Sequence, residues 1–209
     1  MDPVDQAKRA DCYKLFSGCF CQPDKLLFKE ETVLENLMQL LSDICPEAVE
    51  YAQEMAALFD EISEDELAVE YAALFMGPFQ LKAPPYASVY LENSRRVMGD
   101  TTMQTLQSYR EAGLQFDGEG PPDHIATELE FVSFLINEKM SAEHREDNEA
   151  VEVARNRQRE FIAQVLGKWV FDFCHTIEKK AGIKYYRALA VCLGMFMRCE
   201  LENVIVDSA

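Results

Sequence analysis

Asp123, His124 and Glu128 place three titratable side chains within six residues, directly after Pro121-Pro122. On a helix His124 and Glu128, four apart, share one face a turn apart. Such a pair could supply two metal ligands, and a metal centre needs at least one more. The other two histidines, His144 and His175, belong to different segments, and no spacing ties them to the pair. Asp123 and His124 could also be two members of a catalytic dyad. No Gly-x-Ser-x-Gly elbow supplies a nucleophile, and Gly167-Lys168 lacks the upstream glycine of a phosphate loop. Cys19-x-Cys21 has no second pair at ligand spacing. The residues therefore predict no catalytic group, no metal and no cofactor. Their plainest role is a helix start: Asp123 complements the dipole in the first turn, and His124–Glu128 is an ordinary pair.

A second stretch, GPFQLKAPPYASVY at residues 77–90, asks for a different chemistry. It holds three prolines, three aromatics and one formal charge, Lys82. A connection that only turns the chain would use Gly, Asn, Asp and Ser. Prolines narrow the unfolded ensemble, so such a loop is shaped before it binds anything. Stiff backbone carrying Phe79, Tyr86 and Tyr90 beside acidic helices suits a groove for an extended or helical peptide. The alternative is that these rings only fill the core.

Helical periods position both stretches. Apolar residues recur at three- and four-residue spacing over Asp5 to Phe20 and Glu31 to Ile44. Pro46 opens a helix to about Phe59. Ser63-Glu64-Asp65-Glu66 reads as a capping box, followed by a stripe of Leu67, Tyr71, Leu74 and Phe75. Gly77-Pro78 stops that helix. Asp100-Thr101-Thr102 caps a helix that Gly113 ends, and Pro121-Pro122 open a long one to about Ala142. Helices over Asn148 to Leu166, Trp169 to Lys180 and Lys184 to Glu202 follow, the last with Tyr185, Leu189, Cys192, Leu193 and Phe196 on one face. The expected fold is an all-α, single-domain helical bundle over residues 1–209, of about nine or ten helices, with a Pro- and aromatic-rich loop.

Charge narrows the function. With 48% hydrophobic and 27% charged residues the chain is globular, and its formal net charge is −17. That field repels nucleic acid and anionic lipid. From Glu30 to Leu81 there are thirteen acids and no Lys or Arg, and seven acids fall between Arg110 and Lys139. A regional negative field suits a basic partner. Seven cysteines, an odd number, and an acidic opening at Met1-Asp2-Pro3-Val4-Asp5 predict reduced thiols in the cytoplasm. The longest apolar run, Ala188 to Met197, is too short to span a bilayer, so no stable membrane insertion is expected.

YAALFMGPFQLKAPPYASVYLE (Tyr71–Glu92) and PPDHIATELEF (Pro121–Phe131) resemble the two signature blocks of the TorD/DmsD family, the cytoplasmic maturation (Tat proofreading) chaperones of molybdenum redox enzymes. YYRALA (Tyr185–Ala190) is similar to the opening of that family's C-terminal helix. The resemblance runs from about residue 65 to 200. It implies an all-helical chaperone without enzymatic activity. Its partner would be the twin-arginine signal peptide of a molybdopterin-containing oxidoreductase catalytic subunit, held in the cytoplasm until cofactor insertion and folding are complete. Carried onto matching positions, the groove is lined by Tyr71, Phe75, Pro78, Phe79, Pro85, Tyr86, Tyr90, Asp123 and His124. Relatives often have tryptophan where Phe79, Tyr86 and Tyr90 stand, and an acid where Gly120 stands, with Glu119 displaced by one. The family includes swapped dimers, so a monomer or a swap through residues 113–121 is implied.

On the residues themselves, Asp123 is the expected acceptor of a peptide arginine. His124 would orient it or donate to a peptide carbonyl, and Glu128 would support His124. Two other readings compete: a nucleotide-dependent switch or hydrolase using Asp123 and His124, and a structural subunit of a reductase complex.

Overall fold

A computed structural model describes residues 3–77, 80–92, 99–118 and 120–206. Eleven α-helices appear among them: α1 (Pro3–Cys19), α2 (Lys25–Glu30), α3 (Val33–Ile44), α4 (Val49–Glu61), α5 (Glu64–Phe75), α6 (Ala87–Leu91), α7 (Asp100–Glu111), α8 (Ile125–His144), α9 (Asn148–Gln164), α10 (Val170–Lys180) and α11 (Lys184–Val206). Short 3-10 turns at Pro46–Ala48 and Leu166–Lys168 lead into α4 and α10. The described residues contain no β-strand, only one isolated antiparallel bridge between Tyr86 and His124. The all-α expectation holds. The helices beyond the expected set are α2 and α6, five or six residues each, too short to show a period.

The long helices pack as antiparallel neighbours, α1 against α8 most extensively, with α9 on α8, and α10 and α4 on α11. The expected stripes face inward: Leu67, Tyr71, Leu74 and Phe75 of α5, and Tyr185, Leu189, Cys192, Leu193 and Phe196 of α11, are all buried. Aromatic contacts tie them together, with Phe75 edge-on to Phe20 and Tyr186, and Phe16 stacked on Phe196. The Ser63–Glu66 capping box forms as expected, and Gly113 takes φ +82° just past α7.

Three local expectations are corrected. The long helix begins at Ile125, not at Pro121, because residues 122 and 123 turn and His124 is held extended in a bridge to Tyr86. Gly99 is the N-cap of α7, and Glu92 Oε1 accepts from Thr101 N at 2.8 Å. The carboxylate that ends α6 thus caps the next helix. Finally, not all cysteines are thiols. Cys45 and Cys199 form a disulfide, their Cα atoms 6.1 Å apart, because the end of α3 and the last third of α11 converge. Cys12, Cys19, Cys21, Cys174 and Cys192 are free.

Candidate functional site

Two segments far apart in sequence meet at one seam. Ala87 N donates to Asp123 O at 3.0 Å and Ile125 N to Pro85 O at 2.9 Å, which brackets the Tyr86–His124 bridge. The loop is also pinned to α5: Lys82 N and Ala83 N donate to Ala73 O and Leu74 O, satisfying carbonyls at the helix end. Its single charge is used structurally, since Lys82 Nζ lies 3.2 Å from the Glu70 carboxylate, which also accepts from Gly182 N at 2.6 Å. The prolines and small residues do the rest: Ala83, Pro85 and Ala87 are buried. From Lys82 to Ala87 the loop is therefore a wall tied both to the end of α5 and to the start of α8.

Tyr86 and His124 form the exposed part of this seam, both half-buried, with ring centroids 5.4 Å apart in an edge-on arrangement. His124 is the N-cap of α8, its Nδ1 accepting from Ala126 N at 3.1 Å. That bond places the proton of a neutral imidazole on Nε2. Burial lowers His124 to about 4, against the opposing pull of Asp123, so the ring is neutral near pH 7 and offers one N–H donor. Burial, aided by Asp123, raises the Tyr86 phenol.

Asp123 is fully buried. Its Oδ2 accepts from Ser88 N at 2.9 Å, so the side chain caps α6 across the seam rather than serving the first turn of α8. The backbone before it is held as well, Tyr109 Oη donating to Pro122 O at 2.8 Å. With Asp123 on Ser88 and His124 Nδ1 on Ala126, no carboxylate-to-imidazole bond exists, and the geometry of a hydrolytic dyad is missing.

Glu128 does not reach His124. It is fully buried, its Oε2 accepting from Trp169 Nε1 at 2.9 Å and its Oε1 from Thr105 Oγ1 at 3.3 Å. Burial pushes its carboxyl up to about 8, with Asp123 adding to the rise and the Trp169 and Thr105 bonds opposing it. Trp169 in turn stacks on Tyr90 at 5.6 Å, so Glu128 fixes the indole on which the loop aromatic rests.

Of the remaining expected residues, Tyr71 and Phe75 are core. Tyr71 donates to Phe20 O at 3.3 Å, and Phe75 is 2% exposed. Pro85 is buried and Tyr90 half-buried. Pro78, Phe79 and Glu119 lie outside the described residues. The sequence reading missed Ser88 and Trp169, whose partners are 35 and 41 positions away, beyond any local pattern. It also passed over Met76, 54% exposed where α5 meets the loop. Among the described residues one trio has metal-capable donors close together, Cys45, Glu47 and Cys199, and its two sulfurs are bonded to each other.

Comparisons agree with this architecture over most of the chain. The chain belongs to the TorD/DmsD-like redox-enzyme maturation chaperones, matching over residues 35–175 the family model described as nitrate reductase delta subunit. It is 27% identical to the chaperone protein TorD of Shewanella loihica over 96% of this chain and 94% of that one. It is 31% identical to the Tat proofreading chaperone DmsD of Salmonella typhimurium, over 65% and 60% of the two chains. A crystal structure described as a redox enzyme maturation protein from Archaeoglobus fulgidus superposes with a TM-score of 0.56 at 26% identity, covering 88% of this chain and 93% of that one. The first 60 residues, which carry no motif, are thus part of the similarity.

Proposed function

We propose that this protein is a cytoplasmic maturation chaperone that binds the twin-arginine signal peptide of a molybdopterin oxidoreductase precursor and holds it until cofactor insertion and folding are complete. The observation that carries the reading is the seam: a proline-stiffened wall strapped to α5 and α8, presenting Tyr86 and the Nε2–H of His124. An extended peptide finds there an aromatic face and a donor for a backbone carbonyl. Its relatives carry the names chaperone protein TorD and Tat proofreading chaperone DmsD, which fits a role in holding rather than converting a partner. No helix among the described residues is long and apolar enough to cross a membrane.

Magnitudes decide how such a peptide is held. Each apolar side chain fully buried contributes about 1.5–3 kcal/mol. An exposed arginine–carboxylate pair adds about 0–1 kcal/mol. Apolar contact therefore dominates affinity, while the acidic field sets approach and choice of partner. Ordering the peptide costs about 2–5 kcal/mol, which leaves roughly micromolar binding. Isothermal titration with a synthetic Arg-Arg signal peptide tests this: binding with a negative heat-capacity change is expected, and an enthalpy independent of temperature would overturn the groove.

A further inference from the structure

Asp123 is enclosed, so an arriving guanidinium needs another acid, and the surface of α8 offers one. From the first turn of α8, steps of three and four link Thr127, Glu130, Phe131 and Phe134, which line one cavity. Along that face runs a cavity of about 270 Å³ between α7, α8 and the connection after α7. Tyr109, Leu114, Phe116, Phe131 and Phe134 make it apolar. Phe131 anchors its floor, 4.5 Å from Tyr109 and stacked with Phe134 at 6.2 Å, while Phe116 and Phe134 stay partly open.

Glu130 also lines this cavity, is exposed, and has no ion-pair partner among the described residues. Its charge is felt on the other side too. The Cys21 thiol is raised by burial and then by Glu130, and the Tyr71 phenol is raised to about 12 by burial, then by Cys21 and Tyr86. Glu130 thus lines the cavity one to two helical turns past His124. A second exposed acid, Asp117, follows Phe116.

The geometry points to the α7–α8 cavity as the seat of the signal peptide's apolar run, with Glu130 as the carboxylate that receives a peptide guanidinium. This inference rests on the signal-peptide reading and extends it to a surface and a residue. The occupant is fixed by complementarity. An aromatic cavity lined by Glu130, in a chain of net charge −17, fits an apolar segment preceded by arginine. It does not fit an acidic helix or a nucleotide, whose charge that field repels. A guanidinium at Glu130 is planar and takes the carboxylate at two points, which lysine does not.

The test uses the full chain and two synthetic peptides: Arg-Arg before an apolar run of about 7–15 residues, and the same with Gln-Gln. Glu130→Gln should weaken the Arg-Arg peptide about fivefold, leave the Gln-Gln peptide unchanged, and keep the melting midpoint of the wild type. Phe134→Ala should weaken both peptides about tenfold or more. Because Phe134 also packs on the core, a photo-crosslinker in the apolar run of the wild-type complex gives an independent readout. It should mark residues between 109 and 134. If wild type binds the Arg-Arg peptide while Glu130→Gln binds it equally well and crosslinks fall only within 71–91, the cavity assignment is wrong and the chaperone reading stands. If wild type binds neither peptide, the chaperone reading itself falls and takes this one with it.

Discussion

Arg9 and Glu200 join α1 to α11 through two bonds, Nε to Oε1 at 2.8 Å and Nη2 to Oε2 at 2.6 Å, with almost no exposure. Beside this pair the Cys45–Cys199 disulfide fastens the same end of α11 to α3. The seam between the loop and α8 also buries polar groups, Asp123 and Ser88 among them, yet it is finished differently. Asp123 Oδ1, Ser88 Oγ and Thr102 Oγ1 have no partner among the described residues. A buried charge pair with both partners in place is fixed; buried groups left half-satisfied keep a segment close to an alternative arrangement. The contrast is between an end of the molecule closed by a complete ion pair and a disulfide and a seam whose polar atoms are only partly paired.

The largest effect should come from breaking the closed end. Glu200→Ala removes both bonds that Glu200 accepts from the Arg9 guanidinium and should cost about 3–5 kcal/mol in urea unfolding, whereas replacing both residues by Met should recover most of that loss. Peptide affinity, measured well below the unfolding midpoint, should not change. A loss of binding in the folded variant would show that the two ends are coupled and dissolve the comparison.

Reduction of Cys45–Cys199 by a dithiol comes next. The bond spans 154 positions, and opening it should lower stability by about 2–4 kcal/mol, again with peptide affinity intact. A Cys45→Ser, Cys199→Ser variant should melt like the reduced protein and lose its sensitivity to dithiol. Equal melts for oxidised and reduced wild type would remove the disulfide from the account of this end.

What was legible in the sequence divides along the same line. Most of the long helices, the capping box and the stripes of α5 and α11 follow local rules of period and cap and stand as expected, whereas the start of α8, the cap of α7 and the short α2 and α6 do not. The two motif stretches meet at one seam, but the partners of their side chains differ from those expected. Asp123 looks like a first-turn acid of its own helix and caps α6 instead, since the Tyr86–His124 bridge turns its side chain across the seam. Glu128 looks like the i+4 partner of His124 and serves Trp169. Cys45 and Cys199 carry no spacing signal at all. Such pairings depend on which elements lie side by side, and no window of sequence contains that.

A smaller effect separates the two ends by pH. The folded Glu128 carboxyl keeps its proton to about 8, against an ordinary 4.5. The unfolded chain releases that proton first, so this group's stabilisation is complete below about pH 4.5 and is lost as pH rises through 8. Glu128→Gln stays neutral, retains an acceptor for Trp169, and should flatten that slope, gaining stability over wild type as pH rises from about 4.5 to 8. His124, held neutral down to about 4, adds the opposite slope in acid to both proteins, so the difference between their melts isolates Glu128. Parallel pH profiles for wild type and variant would mean Glu128 is ionised in the folded state.

The smallest effect is expected at the residue that the sequence made most prominent. Asp123→Asn keeps an oxygen for Ser88 N and should cost less than about 1 kcal/mol, because Asn caps nearly as well as Asp. Asp123→Ala should cost about 1–2 kcal/mol, since α6 loses its cap and Ser88 N is left buried without an acceptor. With Asp123 enclosed, Asn should shift the Arg-Arg and Gln-Gln peptides by the same factor, whereas Glu130→Gln changes their ratio. A double-mutant cycle across protein and peptide measures that ratio directly, and its coupling term should be near zero for Asp123. A coupling of about 1 kcal/mol or more at Asp123 would require its carboxylate to face arginine in the complex. Ser88 N would then have to give it up, and α6 would have to swing away from α8 as the peptide enters. The half-satisfied groups of the seam would in that event mark a hinge, and the wall beside Tyr86 would be the moving part.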